Sequence, residues 1–254
     1  MPALSVRGVS KRFAGLLAVD DVSFDVEEGR TVALIGPNGA GKTTLFNLMT
    51  NLFAPDSGDV SFHGRSLAGM RPEKIASLGL IRTFQSARIF PTMSTLENAL
   101  VGANIRVRSG TLAQILSLPL SSREEKRLRD QASALLEAVG LVAFRDAPAT
   151  DLPMGAQKLL EIVRGLMAQP KAILLDEPAA GLNDTETAEL GTLLKAVRAL
   201  GITILIVEHN MSLVMDIADE VVVLDSGAVI AHGPPRAVRD DPRVIEAYIG
   251  REES

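Results

Sequence analysis

The sequence predicts an α/β fold with a mostly parallel central sheet, an antiparallel β-region near the N-terminus and an inserted helical lobe. Three observations carry the prediction. Residues 31–35 form an apolar, β-branched run that ends in a glycine-rich turn, and residues 42–50 then follow a helical pattern, which reads as strand, loop, helix. The runs 172–175, 202–207 and 221–224 are almost unbroken apolar stretches, the pattern of strands covered on both faces. Between residue 91 and about residue 165 the strand signal is absent.

The remaining elements follow from local pattern. Leu190, Leu193, Leu194, Val197 and Leu200 recur at three- and four-residue spacing, with Asn183 and Glu186 to cap the start of that helix and Gly201 to end it. Residues 4–9, 22–26 and 60–62 read as short strands separated by turn residues, so an antiparallel sheet is expected to lean on the parallel one. Residues 122–139 read as an amphipathic helix with Leu128, Leu135, Leu136 and Val139 on one side and a Ser122–Glu125 capping box. The expected organisation is one domain, in which residues 1–90 and 166–254 form the core and residues 91–165 the helical insertion.

Composition narrows the function. With 46% apolar and 22% charged residues, the chain has enough material for a sizeable core. A formal net charge of -5 argues against nucleic acid as a partner, since phosphate contacts need clustered basic surface. There is no cysteine, so disulfides and thiolate metal sites are excluded. The first residues lack the apolar stretch of a signal peptide, and no run approaches the ~18 apolar residues of a spanning helix. A cytoplasmic location is expected, with any membrane role exercised through an embedded partner.

The chemistry starts at Gly36-Pro37-Asn38-Gly39-Ala40-Gly41-Lys42-Thr43, which matches the Walker A pattern and continues into Thr44. Its glycines let backbone amides turn inward around phosphates, and the following helix adds its positive N-terminus. Lys42 would reach the terminal phosphates and the Thr43 hydroxyl would ligate magnesium. Asp176 and Glu177 end the apolar run 172–175, where open α/β sheets bind ligands. There Asp176 can hold Mg2+ through water and Glu177 can polarise an attacking water, which favours hydrolysis over transfer to another acceptor. No Asn-Lys-x-Asp motif occurs, which disfavours a small GTPase. His209 closes the run 202–207 and could hydrogen-bond a γ-phosphate. Gln85 could offer a neutral oxygen near the metal, and Phe13 suits either adenine stacking or the core.

The order of these motifs resembles the nucleotide-binding subunits of ABC transporters over essentially the whole chain. The resemblance implies a P-loop NTPase core of the RecA-like kind that binds and hydrolyses ATP with Mg2+. It makes Phe13 the adenine-stacking aromatic, Gln85 the Q-loop glutamine and a metal ligand, Asp176 the Walker B acid, Glu177 the catalytic glutamate and His209 the switch histidine. Leu152-Pro153-Met154-Gly155-Ala156-Gln157 corresponds to the signature segment, which in the family caps ATP held by the opposite subunit. Pro153 departs from the commonest form of that segment, because it supplies neither a hydroxyl nor an amide.

Phe13 to Val19, Arg82-Thr83-Phe84-Gln85, Glu208-His209-Asn210-Met211 and the ending 241–250 look most like the branched-chain amino-acid importers. That likeness implies two transmembrane permeases, a second ATPase subunit, the same or related, and indirectly a substrate-binding protein. It also implies a peripheral location on the cytoplasmic face of the inner membrane. The nucleotide-site residues themselves do not separate this ATPase from those of other importers or of exporters.

Overall fold

The computed structural model describes residues 1–83, 89–105 and 119–249. The chain forms two compact units, one built from residues 1–82, 171–180 and the segment from 187 onward, the other from residues 83–170 and 181–186.

The first unit contains both sheets. Strands β1 (Pro2–Phe13), β2 (Leu16–Glu27), β4 (Ser57–Phe62) and β5 (Arg65–Ser66) form an antiparallel sheet in the order β2-β1-β4-β5. The sequence places only fragments of β1 and β2, because their polar outward residues break the apolar signal. The two are long partners joined by Ala14 and Gly15, whose φ values of 42° and 96° suit a two-residue hairpin turn.

The second sheet takes β3 (Thr31–Ile35), β6 (Leu80–Arg82), β7 (Ala172–Asp176), β8 (Thr203–Val207), β9 (Glu220–Asp225) and β10 (Ala228–Gly233) in the order β10-β9-β3-β8-β7-β6. All its pairings are parallel except that of β10 with β9. Every residue of β3, β7 and β8 is buried, as their unbroken apolar runs require. Residues of both sheets, among them Val22, Phe24, Phe62, Leu34 and Leu205, share one core with Phe46 and Leu45 of helix α1 (Lys42–Met49).

Register fixes the working edge. Leu34 lies opposite Val207, Val207 opposite Asp176, and Ile35 opposite Val223. Parallel strands therefore end at one level, and the segments that follow β3, β7 and β8 leave from the same side.

Helix α2 (Pro72–Ser77) precedes β6. The second unit is helical, with α3 (Thr95–Val101), α4 (Pro119–Ala138) and α5 (Met154–Met167) around a core of Leu96, Ala99, Ala132, Leu136, Leu160, Val163 and Met167. Ser94 and Glu97 make the capping box of α3. Buried Asn98 donates to the carbonyls of Phe90, Met93 and Ser94 and accepts from the Phe90 amide, which shapes the turn before that helix.

The model corrects two expectations. Ser122 does not begin α4, whose described part already includes Pro119, so Ser122 lies within the helix and the Ser122–Glu125 pair cannot be a capping box. Helix α6 (Asp184–Ala199) has the predicted reciprocal cap between Asn183 and Glu186 and the left-handed Gly201 beyond its end. Its apolar face stops at Val197, however, for Leu200 lies past the last turn and is 75% exposed. The chain continues through α7 (Met211–Ile217), α8 (Pro235–Arg239) and α9 (Pro242–Ile249).

Leu136 has no exposed surface at the centre of the helical core. Leu136→Ala should lower unfolding free energy by ~2–5 kcal/mol, read from urea midpoints. A loss below ~1 kcal/mol would mean that this core is loosely packed.

Candidate active site

The turn between β3 and α1 is shaped by backbone approach. Gly36 has φ 149°, and a Cβ there would collide with the Leu224 carbonyl. Gly41 has φ 100°, and a Cβ there would collide with the Ala18 carbonyl. Only glycine meets both demands. The Ala40 carbonyl accepts from the Gly227 amide at 3.0 Å, and the Gly41 carbonyl starts α1 by accepting from Leu45 at 2.9 Å. Asn38 and Gly39 are exposed at the crest and Pro37 is half-buried.

Lys42 is 8% exposed and donates to the Gly36 and Pro37 carbonyls at 2.6 and 3.0 Å. Its ammonium is thus folded back onto the loop. Burial lowers its pKa, while the carboxylates of Glu177 and Asp176 act in the opposite sense. Both acids are therefore near enough to act electrostatically on the loop lysine. Thr43 is exposed at the first turn of α1 and Thr44 is half-buried.

Asp176 ends β7 and is 3% exposed. Its Oδ2 accepts from Arg82 Nη2 at 3.1 Å, whereas Oδ1 is buried with no hydrogen-bond partner among the described residues. Burial raises its pKa and Arg82 opposes that rise. An orphaned buried carboxylate oxygen is costly unless something reaches it, and this one suits a hard cation or its water. Among the described residues no three His, Cys, Asp or Glu side chains form a metal cage. A cation here would draw on Asp176, Thr43 and a ligand's own oxygens, the arrangement expected where a metal arrives with phosphates.

Glu177 follows in a left-handed conformation, φ 48°, which costs a non-glycine residue about 1–3 kcal/mol. Its amide donates to the Val207 carbonyl at 2.9 Å, so the turn is pinned to β8. Beyond it, the Ala179 amide donates to Glu208 Oε1 at 2.7 Å. Glu208 is fully buried, and its Oε2 accepts from the His209 and Asn210 amides at 3.1 and 3.2 Å. One carboxylate thus ties the segment after Glu177 to the segment that carries His209. Asn210 accepts from Leu213 at 3.1 Å and caps α7, while His209 is exposed at the strand end.

The sequence motifs assign no role to Glu208 or Arg82, although each carries a signal. A charged residue at the end of a wholly apolar strand must find partners there. Phe13, left open between two roles, ends β1 with 39% exposure, so it is not a core aromatic. Its ring meets Phe53 edge-on at 5.7 Å between centroids, and Lys11 Nζ lies 5.6 Å from the ring centre. Gln85 lies outside the described residues.

In the helical unit, Pro153 is the N-cap of α5 and provides no side-chain cap. The Gln157 amide makes the first helical bond to the Pro153 carbonyl at 3.0 Å, and its side chain donates to the Leu152 carbonyl at 2.9 Å, which anchors the entering chain without supplying the missing cap acceptor. Gly155 packs so closely on Glu186 that a Cβ would meet its carboxylate. Leu152 is buried, Ala156 is half-buried and Met154 is exposed.

A family model described as ABC transporter matches residues 19–180, and one described as branched-chain amino acid ATP-binding cassette transporter matches residues 228–254. The chain is 43% identical over 250 residues, 98% of each chain, to the high-affinity branched-chain amino acid transport ATP-binding protein BraF of Pseudomonas aeruginosa. It is 42% identical over the same shares to the corresponding protein LivG of Escherichia coli K12. A crystal structure of the ADP conformation of an ATP-binding cassette of an ABC transporter matches with TM-score 0.86 and 34% identity, covering 98% of this chain and 99% of that one. A structure of cbiO1 from Clostridium perfringens, described as part of the ABC transporter complex cbiONQ, matches with TM-score 0.81 and 28% identity, covering 96% of this chain and 93% of that one. The phosphate loop, the two acids and the histidine at one sheet edge thus stand in a chain that belongs to the ABC transporter family as an ATP-binding cassette of the branched-chain amino-acid type.

Proposed function

We propose that this chain binds ATP with Mg2+ at the loop from Gly36 to Thr44 and hydrolyses it to drive import of branched-chain or related hydrophobic amino acids. The observation that carries the reading is the convergence on one edge of the parallel sheet of Lys42, Asp176, Glu177 and His209. Lys42 exchanges the Gly36 and Pro37 carbonyls for the terminal phosphates, and the inward loop amides hold the remaining oxygens. Asp176 Oδ1 and the Thr43 hydroxyl, with Gln85, would hold the metal. Magnesium, when bound, neutralises charge on the β- and γ-phosphates.

Glu177 orients a water and accepts its proton as the water oxygen bonds to the γ-phosphorus. The bond to the bridging oxygen breaks, leaving ADP and phosphate. His209 donates to the γ-phosphate, and Phe13 stacks on adenine at the mouth of the site.

The site is completed in trans. A second ATPase subunit, the same or related, presents its residues 152–157 to the ATP, and each chain returns the contact. Two transmembrane permeases receive the closing motion and a substrate-binding protein delivers the cargo. In this reading the chain works from the cytoplasmic face of the inner membrane, held there by the permeases; among the described residues no helix is long and apolar enough to cross a membrane.

Lys42→Ala should raise the Kd for a fluorescent ATP analogue at least ~10-fold, the effect of removing a charge-assisted phosphate contact. Unchanged affinity would remove the loop assignment. Glu177→Gln should bind ATP normally, lose ~100-fold or more of phosphate release and accumulate an ATP-bound dimer by size exclusion. Ordinary turnover by that variant would end its role. Pro153→Ser restores a hydroxyl at the start of α5 and should tighten ATP-dependent dimerisation in analytical ultracentrifugation. An unaltered dimer constant would show that this position does not limit closure.

A further inference from the structure

Arg82, the last residue of β6, carries a charge into the interior beside the proposed metal site. Its guanidinium is held from three directions. Nη2 donates to Asp176 Oδ2 at 3.1 Å, and Nη1 donates to Asn47 Oδ1 at 2.7 Å and Thr50 Oγ1 at 3.1 Å. Its central carbon lies 5.1 Å from the centroid of fully buried Phe46. Asn47 and Phe46 belong to α1 and Thr50 caps its end, so one side chain joins the helix that begins at Lys42 to the strand that ends in Asp176.

We propose that Arg82 is a positioning residue for the metal: by occupying Oδ2 of Asp176 it fixes the carboxylate so that Oδ1 alone faces the cation, at a set distance from α1. This rests on the metal reading given above. The geometry asks for a planar fork rather than a charge alone. The carboxylate is engaged from one nitrogen while another spans Asn47 and Thr50, which a lysine ammonium cannot do with the same spread. Free to rotate, Asp176 would offer either oxygen or both, and the cation would lose its defined partner.

The test compares nucleotide affinity with and without the metal. A fluorescent ATP analogue is titrated into wild type, Arg82→Lys, Arg82→Met and Asp176→Asn, and into the double variant Arg82→Met/Asp176→Asn, once in excess Mg2+ and once in EDTA. Thermal melts of the nucleotide-free proteins accompany each titration. For Arg82→Met we expect affinity in EDTA within ~2-fold of wild type and a loss of ~10-fold confined to the Mg2+ series, the scale on which second partners of metal ligands act. Arg82→Lys should recover less than half of that loss on a logarithmic scale, and in the Asp176→Asn background the Arg82 change should add nothing.

Equal losses in both series would overturn the proposal in favour of a general structural role, as would full rescue by lysine, tighter Mg2+ dependence or additivity in the double variant. If Arg82→Met does not fold, Arg82→Lys and its double with Asp176→Asn decide by the same criteria. Wild type that gains nothing from Mg2+ would instead refute the metal reading on which the proposal stands.

Discussion

Everything in the site depends on parallel strands that end at one level. Because β3, β8 and β7 pair in register, Leu34, Val207 and Asp176 lie side by side, and the chain must turn in the same place after each. Turns are where backbone amides are free and where an acid or a histidine can leave the core without breaking a ladder. The glycine-rich loop, the acid pair and the histidine segment are one arrangement seen from three strands.

That arrangement brings three buried charges together. Asp176, Glu208 and Lys42 are all nearly or wholly inaccessible, and each is matched differently. Glu208 accepts from three backbone amides and is a structural clamp, satisfied without any ligand. Among the described residues Lys42 donates to loop carbonyls alone, which a phosphate can replace. Asp176 is half matched among the described residues, one oxygen on Arg82 and the other without a hydrogen-bond partner. Burial at an edge with partly filled hydrogen-bonding capacity is the condition under which a polyphosphate and its cation bind favourably, since they supply what the protein leaves open.

Much of this was legible in the sequence because the relevant signals are local. Unbroken apolar runs announced β3, β7 and β8, a glycine pattern announced the loop, and Asn183 with Glu186 announced the start of α6. The extent of β1 and β2 was hidden, for half of each strand faces solvent and its apolar residues are diluted. Leu200 misled because a periodic position past the final turn has nothing to pack against, and Ser122 misled because the helix already includes Pro119, so a serine at that point lies inside it. Arg82 and Glu208 escaped for another reason. Their meaning lies in partners 94 and 29 residues away, at Asp176 and Ala179, and a linear pattern does not contain those pairings.

The most direct measurement of the account is a crystal structure of Glu177→Gln with ATP and Mg2+. It predicts Lys42 Nζ on the terminal phosphates in place of the Gly36 and Pro37 carbonyls, and Asp176 Oδ1 directed at the cation, through water or directly, while Oδ2 remains on Arg82. A nucleotide bound away from the Gly36 to Thr44 loop, or a cation without Asp176 in its coordination sphere or hydrating shell, would contradict it.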